Sequence, residues 1–144
     1  MPKIKILYIL DTFDTGGKEN VVLNLCNGLD TSVYEVNLLV LTNDRLSSTN
    51  SLNPDINVIT LPFDQYDLKK LTFFFKGASK FMEILEDINP SIIHTHLFFY
   101  HLFFVSMFMF LKTKNVIHCR TVHTSGLFYS NQKRFVDKFR LFVE

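Results

Sequence analysis

Apolar residues along this chain alternate between two spacings, and the alternation predicts its elements. Ile4-Lys5-Ile6-Leu7-Tyr8-Ile9-Leu10 is a nearly unbroken apolar run of strand length, the pattern of a strand covered on both faces of a parallel sheet. A polar loop, Asp11 to Thr15, leads to the pair Gly16-Gly17, after which Val21, Val22, Leu25, Cys26 and Leu29 recur at helical spacing. Tyr34 to Thr42 reads as a second strand, Asn43 to Pro54 as a loop rich in Ser, Asn and Thr, and Ile56 to Leu61 as a third strand stopped by Pro62. Asp67 to Ile88 is the clearest helix. On a helical projection Leu71, Phe74, Phe75, Ala78, Phe81, Met82 and Leu85 gather on one side, with Lys69, Lys76, Lys80 and Phe73 on the polar side. Asn89-Pro90 breaks this helix. Ser91 to His96 then forms a fourth strand, Phe98 to Lys112 a Phe-rich helix, Asn115 to Val122 a fifth strand, and Asn131 to Val143 a last helix.

Strands alternating with helices imply a parallel sheet with right-handed crossovers. The expected fold is α/β, a Rossmann-like doubly wound sheet with strand order 3-2-1-4-5. In such a sheet ligands bind beyond the carboxyl ends of the strands. Here that rule selects Asp11 to Gly17, His96, and His123 to Gly126.

Composition narrows the class. At 144 residues the chain makes about one domain, and its formal net charge of +1 argues against a general nucleic-acid binder. The charge is uneven: residues 1–111 hold eight Lys/Arg against twelve Asp/Glu, and residues 112–144 hold seven against two. Sixteen phenylalanines and no tryptophan point to a large aromatic core or an apolar surface. Cys26 and Cys119 fall within the expected helix and strand, which favours buried thiols in a reducing cytoplasm over a disulfide. No signal peptide is expected, because Met1-Pro2-Lys3 runs straight into the first strand. Leu97 to Leu111, the longest apolar stretch, is short of the roughly 20 residues a bilayer span requires and contains His101 and Ser106; a buried helix is expected.

Each candidate motif has two readings. Gly16-Gly17 is either a tight turn or a place where missing Cβ atoms let a phosphate or sugar approach a helix N-terminus. It is neither a dinucleotide fingerprint nor a P-loop, since no G-x-G-x-x-G or G-x-x-x-x-G-K-[ST] is present. Glu19 suits the first helical turn, whereas Lys18 is unfavourable there unless it faces solvent or an anion. Asp11 and Asp14 read as loop-capping acids, and without D-x-D nothing suggests a divalent ion holding a nucleotide.

His94 and His96 share one face of a strand, but no third ligand stands at zinc spacing, so no metal is expected. His94 reads as packed and His96 as facing the cleft; His101 and His118 read as structural. His123, at the sheet's carboxyl edge, either accepts a proton from a hydroxyl, donates a hydrogen bond to a substrate oxygen, or is a capped structural residue. Ser125 and Ser130 lack the setting of a hydrolase nucleophile. Lys69, Lys70, Phe73, Lys76 and Lys80, and the basic-aromatic tail from Lys133 to Phe142, read either as ordinary amphipathic faces or as contacts with an anionic membrane surface.

Taken together, Thr15-Gly16-Gly17-Lys18-Glu19, His94-Thr95-His96 and Arg120-Thr121-Val122-His123-Thr124-Ser125 resemble the N-terminal domain of GT-B glycosyltransferases of family 4. This is the retaining group that includes bacterial lipopolysaccharide, capsule and mannosyl-phosphoinositide transferases. The resemblance covers essentially all of residues 1–144, with Lys18 standing where the family more often has Ala.

The resemblance implies transfer of a sugar from a nucleotide-sugar donor to a glycan or lipid-linked acceptor, without metal or other cofactor. Gly16 and Gly17 would touch the donor, His123 would orient donor and acceptor, and His96 and Thr124 would line the substrate site. Several members of the family bind membranes through basic, aromatic helices of this domain, so the resemblance favours the membrane reading of Lys69 to Lys80. With the reduced thiols, the expected location is cytoplasmic, peripheral at the inner face of the membrane. The family's second, nucleotide-holding domain and its E-x-x-x-x-x-x-x-E motif are not in this sequence, and the first domain is expected to be incomplete at Glu144. Alone, the chain is then expected to be inactive or nearly so. A non-catalytic subunit pairing with a separate donor-domain chain, and an unrelated nucleotide-binding domain, are the competing expectations.

Overall fold

The computed structural model describes residues 2–64, 66–67, 71–97, 116–121 and 123. Lys69, Lys70, Thr124, and the helices expected over Phe98–Lys112 and Asn131–Val143 lie outside the described residues.

Five strands, β1 (Ile4–Leu10), β2 (Tyr34–Val40), β3 (Asn57–Thr60), β4 (Ile92–His96) and β5 (Ile117–Arg120), form one parallel sheet in the order β3-β2-β1-β4-β5. This is the Rossmann-like topology the sequence predicts. The apolar run of β1 explains its central place. Ile4 to Leu10 pairs with Tyr34 to Val40 on one side, and Ile6 to Leu10 with Ile92 to His96 on the other. From Ile6 onward every residue of β1 is buried.

Alternation along the strands sends side chains into two cores. Leu7, Ile9, Leu39, Leu41 and Leu61 pack with helix α2 (Leu71–Ile88), while Ile6, Tyr8, Leu10, Val36, Leu38 and Val40 pack with helix α1 (Gly17–Asn27). Fully burying a side chain such as Phe81 stabilises the fold by about 1.5–3 kcal/mol. Helix α1 rests on Val22 and Cys26, leaving Val21 and Leu25 exposed. Helix α2 ends where Asn89 takes a left-handed φ of 47° and its N–H donates to the Leu85 carbonyl. Asn tolerates that conformation, and Pro90 prevents the helix from continuing.

Two expectations are corrected. Phe73, placed on the polar side of α2 as a membrane contact, is 4% exposed and packs edge-on against Phe63, ring centroids 5.0 Å apart. Phe81 and Leu85 are buried as expected, but so are Ile84 and Ile88. The core-facing arc of α2 is thus turned by roughly a quarter of a helical turn from the one the Phe spacing suggests. The third-strand side of the sheet, through Leu61 and Phe63, draws Phe73 inward. Cys119, expected to be buried, is exposed because β5 is an edge strand of the described sheet; Cys26 is buried under α1.

Candidate functional site at the carboxyl edge of the sheet

The loop from β1 to α1 is held from below and from the side. Phe13, fully buried, plugs it into the α1-side core, its N–H donating to the Arg45 carbonyl and its carbonyl accepting from Ser48 N–H. The 3-10 turn Ser47–Ser51 fastens the same loop: Ser47 donates to the Asp14 carboxylate and Ser48 Oγ to the Asp14 carbonyl. The hydrogen bond from Ser47 holds the Asp14 carboxyl below the usual range, so Asp14 is a loop fastener.

Asp11 does something else. It is 3% exposed and takes the ammonium of Lys18, which also lies 3.5 Å from Glu19 Oε1. Lys18 thereby faces an anion supplied by its own loop, which offsets the unfavourable charge at the α1 N-terminus. Glu19 is buried as well, accepting from Thr12 Oγ1 at 3.3 Å.

The two glycines differ. Gly16 is extended, a conformation open to any residue, but a Cβ on it would run into the Glu19 carboxylate. At Gly17 a Cβ would meet nothing within 4 Å. Open space therefore lies at the first residue of α1, beside the backbone N–H groups that a helix start leaves free.

Across the β1–β4 pair stand the histidines. His94 and His96 share a face of β4, rings 4.3 Å apart, with Tyr8 of β1 at 5.4 and 6.2 Å. His94 Nε2 lies 2.8 Å from Thr121 Oγ1, and His96 Nδ1 lies 2.9 Å from His123 Nε2. Burial holds His96 down to about 3, helped by His94, His123 and Lys18; His94 is depressed by burial and then by His123. His123 is lowered by desolvation and the Lys18 charge, which Glu19 and Asp11 partly offset. Both members of the pair are thus neutral near pH 7. His96 is wholly buried, yet its Nε2 has no hydrogen-bond partner among the described residues. An orphaned polar atom of this kind costs about 1–3 kcal/mol.

The structure brings the glycine loop, His96 and His123 to one edge, with the Lys18 charge reaching both histidines. Lys76 and Lys80 are exposed on α2, where they line a pocket with Pro62, Phe63 and Asp67, and Lys80 pairs with Glu83 at 3.0 Å. His118 is exposed on β5. Among the described residues no three His, Cys, Asp or Glu side chains converge on a metal-holding arrangement, and no helix is long and apolar enough to cross a membrane. Sequence reasoning missed Asp11 as the partner of Lys18, Glu19 as a buried acid, and Tyr8 and Thr121 as supports of the histidines. A basic residue at a helix start was the signal for the first.

The fold has relatives. A putative UDP-N-acetylglucosamine 2-epimerase from Listeria monocytogenes superposes with a TM-score of 0.65 at 17% sequence identity, over 99% of this chain and 38% of its own. The chain thus spans little more than a third of that relative's length, and the likeness concerns the fold alone. No curated protein matches the chain. The profile of Glycosyltransferase Family 4, however, matches residues 15–144, a span that opens at the glycine loop and takes in both histidine strands, so this chain belongs to Glycosyltransferase Family 4.

Proposed function

We propose that the chain is the acceptor-side domain of a retaining, metal-independent glycosyltransferase. Its reaction moves a sugar from a nucleotide-sugar donor to a glycan or lipid-linked acceptor, as in cell-surface polysaccharide synthesis. The observation that carries this reading is the meeting of the Gly16-Gly17 loop with the His96–His123 pair beside the β1/β4 boundary. That boundary is the switch point of a 3-2-1-4-5 sheet, where ligands of such folds sit.

Each group has a role. The open space at Gly17 lets donor oxygens reach the N–H groups at the start of α1, where the helix dipole favours negative charge. Lys18 is already engaged by Asp11 and Glu19 and serves to hold the loop's shape. His123 orients the reacting sugar and the acceptor hydroxyl. His96, expected to face the cleft, is wholly buried and backs His123 from beneath without itself touching substrate. Thr124, outside the described residues, is assigned to the lining only as the sequence neighbour of His123. The cations that stabilise a departing diphosphate come from a second, nucleotide-holding domain, so the 144 residues by themselves bind acceptor but turn over little or not at all. Exposed Lys76 and Lys80 would bring the domain to an anionic membrane carrying a lipid-linked acceptor.

The test is a titration of the chain with glycan acceptors, nucleotide sugars and free nucleotides while the imidazole resonances are followed. Perturbation of His96 and His123 by an acceptor supports the reading. Tight binding of a free nucleotide, with no response to any glycan, replaces it with a nucleotide-binding domain.

A further inference from the structure

The histidine pair also constrains which proton His123 carries. The 2.9 Å contact joins His96 Nδ1 to His123 Nε2, and one proton must lie between them. If His123 supplies it, His96 must carry its own proton on Nε2, which is buried without an acceptor among the described residues. If His96 supplies it, Nε2 keeps only a lone pair. Orphaned buried N–H groups are rarer than under-satisfied acceptors, which favours the second arrangement. The surroundings agree. Among the described residues Tyr8, neutral His94 and the Lys18 charge face His96, and none accepts a proton from Nε2.

We infer that His96 is a positioning residue that fixes His123 as its Nδ1–H tautomer, so that His123 meets a sugar oxygen as a hydrogen-bond donor and not as a base. The inference rests on the reading of this edge as the sugar site only for the identity of that oxygen. The tautomer is a property of the free chain. It also separates two roles that His123 alone leaves open, since a general base needs a bare nitrogen facing the hydroxyl.

The deciding measurement is long-range 1H–15N correlation of the imidazoles in the full chain at neutral pH, assigned with His123→Gln. The expected result is Nδ1 of His123 in the protonated range and Nε2 in the pyridine-like range, with His96 also protonated on Nδ1. Nε2–H on His123 overturns the inference. His96→Ala is expected to lose the single tautomer of His123, while His96→Asn, whose amide falls where Nδ1 sits, is expected to keep it. An unchanged tautomer in His96→Ala removes the positioning role. Should His96→Ala fail to fold, the wild-type spectrum still decides. Sugar titration is independent: a correct tautomer with no glycan response sinks only the transferase reading, and the converse sinks only the tautomer.

Discussion

Lys18, on the first turn of α1, turns its ammonium back onto the carboxylate of Asp11, seven residues earlier at the end of β1. Both side chains are largely buried, so the pair is shielded from solvent. Removing one member of such a pair leaves the other charged and poorly solvated. Lys18→Met is therefore expected to lower stability by about 3 kcal/mol, whereas the double change Lys18→Met with Asp11→Asn recovers most of it. Chemical denaturation of the four variants measures the coupling. Additive losses would mean that the pair does not act as a unit.

The glycines separate folding from binding. Gly17 lies in a helix with room for a Cβ, so Gly17→Ala is expected to leave stability unchanged or raise it by up to about 1 kcal/mol. The methyl group would enter the space proposed for the donor, so transfer by an enzyme containing this domain should fall. Gly16→Val displaces the Glu19 carboxylate and should impair transfer with a modest cost in melting temperature. Undiminished transfer in both variants removes the loop from the site.

Acid should loosen the fold through His96. Its folded pKa is about 3, below the ordinary 6.5, so between those values the unfolded chain binds a proton that the folded chain does not. The stability His96 contributes is complete above about pH 6.5 and is lost as pH falls toward 3, at up to about 1.4 kcal/mol per pH unit. Urea denaturation from pH 7 to 4 should show this slope, reduced in His96→Asn. Identical slopes would mean that His96 is not a buried neutral imidazole.

On α2 the two faces should answer differently. Phe73→Ala removes a buried ring packed on Phe63 and should cost about 3 kcal/mol or more. Lys76→Glu with Lys80→Glu should change stability by about 0.5 kcal/mol or less, since both residues are exposed. The same charge reversal should release the chain from anionic vesicles. If the unaltered chain never sediments with them, the membrane role is lost.

The two thiols should also differ. Burial pushes Cys26 up to about 12, whereas Cys119 is exposed. One thiol per native chain should react with an aromatic disulfide reagent at neutral pH, and the second only after unfolding. Rapid reaction of both would place Cys26 outside the core.

What the sequence revealed follows from where the physics is local. Strand β1 is readable because burial on both faces leaves little but Ile, Leu and Tyr, and the strand order follows from alternation with helices. The facing of α2 is not local: a stretch with Phe73, Phe74 and Phe75 in succession offers several apolar arcs, and contact with Phe63 selects among them. The histidine pair lies between. Its members stand 27 residues apart, but once β4 and β5 are neighbours their carboxyl ends meet. The proton between them remains invisible to pattern, because it depends on a single buried nitrogen.

The sheet order has a consequence for assembly. The loop half of the site, Asp11 with Lys18 and Glu19, lies in one strand–loop–helix segment and is fastened by Thr42, Arg45, Ser47 and Ser48 just beyond β2, so it can form once β1, α1 and β2 have come together. The histidine half depends on β4 and β5, which join the rest of the described sheet only through β1. Opening the β1–β4 seam would therefore dissolve the site while leaving β1, β2 and β3 paired. In a growing chain His96 meets His123 only after the last described strand has emerged. The site is the final part of the described fold to be completed and the first to be lost when that seam yields.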